Sequence, residues 1–250
     1  MTRRAPLEMT APLAARDAQC RMRALANPAD AIFLQRFFRT APGEYGAGDR
    51  FLGVRVPAVR RVARDLRAMP LRECLVLLRS PMHEERLLAL AILSDTYARP
   101  STSQTGRTAI YRAYLANARR VNNWDLVDLS AHKIVGAHLL GRNRAVLDRL
   151  ATSTDLWERR IAIVATHAFI RAGDVSTTLR LARTLLRDPH DLIHKATGWM
   201  LREAAKRDGA TVRVFLDRHA DEMPRTMLRY AIERFSAAER TRWMARGKRK

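Results

Sequence analysis

Two similar helix starts, set far apart in the chain, constrain its fold more than any other feature. Met82-His-Glu-Glu-Arg-Leu-Leu-Ala and Leu156-Trp-Glu-Arg-Arg-Ile-Ala-Ile share one pattern and lie 74 residues apart, twice 37. Leu192 opens a third such helix 36 residues after Leu156, and Pro224 opens a fourth 32 residues later. A helix starting at Asn122 or Asn123 fills the gap between the first two. A period near 36 built from two helices is the mark of an α-solenoid of HEAT or armadillo type, in which each repeat buries its apolar face against its neighbours. The partner helices fall at 71–79, 105–118, 142–151, 175–187 and 210–222. No stretch alternates apolar and polar residues as a strand does, and only 6% of residues are aromatic, so the expected fold class is all-α. One helix of each pair would line a shared concave, basic groove, with helices starting near Met82, Asn122, Thr154, Pro189 and Pro224 along it.

Upstream of the repeats, residues 12–26 and 29–40 read as two helices split by Asn27-Pro28, the second carrying Ile32, Phe33 and Phe37 at helical spacing. Residues 41–50, with Gly43, Gly46 and Gly48, read as a loop. Pro57 suits the first turn of a helix that continues through Val59, Val62, Ala63 and Leu66 until Pro70 stops it. The expected organisation is one domain over residues 1–240, with N-terminal helices over 12–80, repeats over 81–236 and a basic tail over 241–250.

The charge points to a class of partner. Lys and Arg number 46 against 25 Asp and Glu, a net charge of +21, and only five of the cations are lysine. Guanidinium forks match phosphate oxygens, so nucleic acid is the leading partner. Cys20 and Cys74 are too few for a disulfide framework or a zinc module, which fits a reducing, cytoplasmic setting. Glu8 and Asp17 interrupt any leader-like apolar run, and nothing approaches the roughly 18 apolar residues of a membrane span. His190 and His194 have metal-ligand spacing but lack a third ligand, so neither metal nor cofactor is expected. Gly136 and Gly141 are followed by Arg142-Asn143 and not Lys-Ser/Thr, which excludes a phosphate-binding P-loop, and no G-x-S-x-G elbow is present.

Along the groove-lining helices the residues near the N-termini are His83, Glu84 and Arg86, then Trp124 and Asp128, then Trp157, Arg159 and Arg160. Further on come His194, Lys195 and Trp199, then Arg225 and Arg229. Cations dominate, and helix N-termini add positive dipole ends that suit backbone phosphates. Trp124 and Asp128 stand at i and i+4, which places an aromatic ring and a carboxylate on one helix face. The expected nucleic-acid contacts are therefore His83, Arg86, Arg159, His194, Lys195, Arg225 and Arg229.

Five ordered segments carry a family resemblance: Phe51-Leu-Gly-Val-Arg-Val-Pro57, Ser80-Pro-Met-His-Glu-Glu-Arg86, Val121-Asn-Asn-Trp-Asp-Leu-Val-Asp128, Trp157-Glu-Arg-Arg-Ile-Ala162 and Ala196-Thr-Gly-Trp-Met-Leu-Arg-Glu203. Over about residues 30–236 the chain resembles the AlkD family of DNA alkylation repair glycosylases. That resemblance implies a HEAT-like solenoid acting as a monomer, which holds duplex DNA containing alkylated bases and excises N3- and N7-alkylated purines. It also implies roles: Asp128 as the catalytic carboxylate, Trp124 and Trp199 as groove tryptophans, and Arg160 beside the lesion's backbone. The segment Met223–Glu233 departs from the ending of the best-known members, which bears on substrate range. The chemistry is coherent, because a cationic alkylpurine leaves without a general acid and one carboxylate can stabilise the oxocarbenium-like sugar. The alternative is a non-catalytic scaffold that binds nucleic acid or an acidic protein through the same groove, or a binder of structured RNA.

Overall fold

The computed structural model describes residues 13–246, which are helical throughout their regular structure; the only β-type pairing among them is an isolated bridge between Arg50 and Met82. The chain divides into two compact units, one up to Asp95 and the other from Thr96 onward.

The first unit holds α1 (Ala15–Ala24), α2 (Pro28–Phe37), α3 (Val56–Asp65), α4 (Leu71–Leu78) and most of α5 (His83–Ala98), whose last residues, from Thr96, belong to the second. Asn27 caps α2 by accepting from the N–H groups of Ala29 and Asp30, while Pro28 occupies a first-turn position where no N–H is missed. The helix forms as its sequence suggests, but it buries nothing: Ile32, Phe33 and Phe37 are 61%, 54% and 54% exposed. Helical spacing of apolar residues does not by itself make a core.

Two of the segments singled out in the sequence meet in this unit, and their purpose is structural. The Glu84 carboxylate accepts from the backbone N–H groups of Leu52, Gly53 and Val54 at 2.9, 2.8 and 3.1 Å, so the loop before α3 wraps a buried carboxylate. Gly53 sits at φ 80°, and a Cβ there would lie 2.0 Å from the Asn27 carbonyl oxygen, so only glycine fits. Asp49 receives both His83 Nδ1, at 3.1 Å, and Arg86 Nη2, at 2.6 Å.

The second unit is built from α6 (Gln104–Ala116), α7 (Trp124–Ala131), α8 (Ala145–Ala151), α9 (Leu156–Ala165), α10 (His167–Arg171), α11 (Ser176–Thr184), α12 (Asp191–Ala205), α13 (Gly209–His219), α14 (Arg225–Ile232) and α15 (Ala237–Arg246). Helix α7 runs on into a π-helical turn, His132–Gly136. Within this unit α7 packs on α9, α9 on α12 and α12 on α14, while α8 and α11 pack beside them. Most starts are set by side-chain caps, Ser103 for α6, Asp155 for α9 and Asp208 for α13. Helix α8 begins three residues later than the expected 142. Gly141, at φ 68°, turns the chain and Asn143 then accepts from the Ala145 N–H.

Close approach of consecutive helices rests on two glycines. A Cβ on Gly136 would lie 2.1 Å from the Ala165 carbonyl oxygen, and one on Gly198 would lie 2.4 Å from that of Met227. Between these contacts lies an aliphatic core that includes Ile134, Val135, Ile161, Val164, Ile193 and Met200, all fully buried. The C-terminal boundary differs from the sequence reading. Residues 241–246 belong to α15, not to a tail, because Trp243 is fully buried and its indole N–H donates to Asp217. The rest of the expected tail, residues 247–250, lies outside the described residues.

Candidate active site

Helix α7 starts because Asn123, extended and buried, accepts from the Trp124 N–H. Leu126, Val127, Ser130 and Ala131 then take the inner face, leaving Trp124 and Asp128, four residues apart, partly exposed. The Asp128 side chain is 22% exposed. Arg160 on α9 grips it with both arms of its fork, Nε to Oδ1 at 3.0 Å and Nη2 to Oδ2 at 2.8 Å. The third arm, Nη1, donates to the Leu192 carbonyl at the start of α12. One guanidinium thus ties three successive packed helices together, in the bidentate geometry that only arginine supplies.

This contact replaces one sequence expectation. Arg160 is 4% exposed and its donors are spent inside the protein, so its geometry is that of a residue orienting Asp128, not of a clamp on an external phosphate. Electrostatics set the carboxyl's character: burial pushes the Asp128 pKa above the ordinary carboxylate value, Arg160 pulls it back, and nearby Asp125 adds to the rise. The ionised form is therefore incompletely compensated, and an arriving cation would complete it.

Behind Asp128 stands a row of rings that sequence reasoning missed. His132, one turn beyond Asp128 at the start of the π-helical turn, lies 5.3 Å from His167, which in turn lies 6.0 Å from the Trp199 ring on α12. Burial first, and then the neighbouring His167, Lys133 and Arg171, drive the His132 pKa down to about 4. Burial lowers His167 as well. Both rings are neutral at pH 7 and contribute packing without charge. The i, i+4 spacing of Asp128 and His132 was the available signal for the first of them. Trp199 is partly exposed, whereas Trp157 is core, 7% exposed.

The residues expected to contact nucleic acid divide sharply. His83 and Arg86 are buried at 2% and 4% exposure and committed to Asp49, with Arg86 Nη1 also capping the Ser80 carbonyl; they are corrected from surface contacts to internal braces. The Arg86 guanidinium and the His83 ring together hold the buried Asp49, a partner that sequence distance concealed. Arg159 is likewise pinned, to Asp188 at 2.6 Å and to the carbonyls of Ser153 and Thr154. His194 bonds the Asp188 carbonyl, and Arg225 donates to the carbonyl of Met244. Lys195 forms an exposed pair with Asp191, and Arg229 is exposed at the end of α14. Only these last two present their charge on the surface without a buried anchor.

An all-α stack of helices carrying a mostly shielded carboxyl group on α7, held by an internal arginine of α9 and one turn from the partly exposed Trp124, defines the class. The family model for DNA alkylation repair enzymes matches residues 18–235, and the chain belongs to that family. A solved structure described as a predicted DNA alkylation repair enzyme from Enterococcus faecalis is similar in fold, with a TM-score of 0.66 and 16% identity over 85% of this chain and 97% of that one. No curated protein matches the chain. Among the described residues no helix is long and apolar enough to cross a membrane, and no group of His, Cys, Asp and Glu is arranged to hold a metal ion.

Proposed function

We propose that this protein is a DNA glycosylase of base excision repair, hydrolysing the N-glycosidic bond of cationic N3- and N7-alkylated purines in duplex DNA. The observation that carries the reading is the fixed Asp128 carboxyl group, 22% exposed and held by both arms of the Arg160 fork. An alkylated purine already bears positive charge, so its C1′–N bond breaks with the electron pair going to the base, which leaves neutral and unprotonated. Positive charge then develops on the deoxyribose. A carboxylate already in place and partly withdrawn from water stabilises that charge without reorganising. Asp128 also accepts a proton from the water that attacks C1′, which closes the balance as a hydrolysis. Trp124 and Trp199 flank the sugar and the cationic lesion through their ring faces, each contributing about 0.5–2 kcal/mol.

In this reading the stacked α7, α9, α12 and α14 form part of a solenoid groove for the duplex, with Lys195 and Arg229 meeting backbone phosphates. The protein works as an intracellular monomer and takes no cofactor. The test is release of 7-methylguanine or 3-methyladenine from a duplex oligonucleotide. Wild type should excise the base, and Asp128→Asn should be slower by about a hundredfold to a thousandfold while still folding and binding DNA. A wild type that binds such DNA and releases no base, indistinguishable from Asp128→Asn, would mean a non-catalytic scaffold.

A further inference from the structure

The second unit contains an open cleft of about 660 Å³ whose lining does not include Asp128, Arg160, Trp124 or Trp199. Residues from the end of α5, the start of α6, the π-helical turn after α7 and the end of α10 form its walls. Four cations, Arg107, Lys133, Arg142 and Arg171, line it together with His132 and His138, and no Asp or Glu does. In a chain with 25 carboxylates, many of them paired to arginines on the surface, four cations around one concavity without a counter-charge are an unspent positive field.

Parts of this wall are rigid. Arg107 is fixed by donating Nε to the Tyr97 carbonyl and Nη2 to the Arg99 carbonyl, at 3.1 and 3.0 Å. His138, 6% exposed, is held from two sides. Its Nδ1 lies 3.2 Å from the Tyr97 hydroxyl, and its ring stacks on Tyr111 at 4.0 Å and 13°. In the tautomer in which Nδ1 accepts from Tyr97, the ring proton is on Nε2, a neutral donor suited to an anionic oxygen. Burial, reinforced by Arg142 and Arg112, lowers the His138 pKa and keeps the ring neutral at pH 7. Lys133, Arg142 and Arg171 add longer, adjustable arms around this fixed pair.

We propose that this cleft is a second anion site, separate from Asp128, that binds a phosphate or diphosphate group between the Arg107 and His138 wall and the Arg142 and Arg171 arms. The phosphate comes either from a free phosphate compound or from a nucleic-acid backbone, and the same experiment tells them apart. Titrate the full chain with inorganic pyrophosphate by calorimetry and with an undamaged fluorescent duplex by anisotropy, at one fixed ionic strength. Compare wild type, Asp128→Asn, His138→Gln, the doubly substituted Arg142→Ala/Arg171→Ala, and a charge-matched control, Arg60→Ala/Arg64→Ala, on exposed positions of α3. If pyrophosphate binds wild type and Asp128→Asn alike and weakens at least tenfold in the two cleft variants but not in the control, the site takes free phosphate compounds. If pyrophosphate does not bind but duplex affinity falls at least tenfold in both cleft variants and not in the control, the phosphate is the backbone's. Absence of both effects, or equal weakening by the control, would overturn the proposal. Because Asp128→Asn must leave pyrophosphate binding intact, failure here is distinct from failure of the excision reading. The double arginine variant alters only exposed side chains, so it stays interpretable if His138→Gln does not fold.

Discussion

Removing Arg160 tests whether one side chain both joins helices and sets the carboxylate. Arg160→Ala deletes two charge-assisted bonds to Asp128 and one to the Leu192 carbonyl, and leaves Asp128 partly buried without its counter-charge. Removing one member of a buried pair typically costs about 3–5 kcal/mol. Asp128 is 22% exposed and recovers some hydration, so the expected loss is about 2–4 kcal/mol. Arg160→Lys should recover only part of it, because an ammonium on a flexible stem cannot reach three acceptors at fixed angles. Equilibrium urea unfolding at pH 7, followed by far-ultraviolet circular dichroism, measures this. Combining Arg160→Ala with Asp128→Asn should show coupling of about 1–3 kcal/mol, since the amide no longer needs a cation. Without Arg160, burial acts on the carboxyl unopposed and its pKa climbs further, so the acid limb of the excision profile should move to higher pH. A loss below about 1 kcal/mol, additivity with Asp128→Asn and an unmoved pH profile would together refute the positioning role.

Gly136→Ala should destabilise by at least about 1–3 kcal/mol, because its Cβ would meet the Ala165 carbonyl oxygen at 2.1 Å and the backbone cannot yield locally; thermal melting that matches wild type would refute the tight crossing. The His132 pKa is depressed from 6.5 to about 4, so the neutral ring's contribution is fully present above pH 6.5 and is lost as pH falls from there toward 4. At 1.36 kcal/mol per pH unit the ceiling is about 3 kcal/mol, trimmed to about 1–2 by solvent reaching the ring, and unfolding free energies of His132→Gln should lack that slope. Duplex affinity should fall with salt at about −0.9 per phosphate contacted on a log-log plot, and Arg229→Glu should make the slope shallower without changing sequence preference. A slope near zero would remove exposed cations from the account. His83→Gln and Arg86→Gln should lower stability and leave the salt slope of the folded protein unchanged, since both side chains are committed to Asp49.

The sequence by itself settled the all-α class, the period near 36 residues and the helix order, because those depend on local spacing, caps and breakers that a linear chain displays. Asp128 and Trp124 were legible for the same reason: four residues on one helix face are a local relation. Tertiary structure alone decided where each cation spends its charge. Arg160, Arg159, Arg86 and Arg229 read alike in the sequence, yet the first binds Asp128 from 32 positions away, the second is taken by Asp188, the third by Asp49, and only the fourth is exposed at the surface. A guanidinium's role depends on which carboxylate or carbonyl the fold delivers to it, and that partner is set by packing across helices. The same holds for Trp243, which a basic C-terminal composition disguised as part of a tail and which burial on Asp217 turns into an anchor.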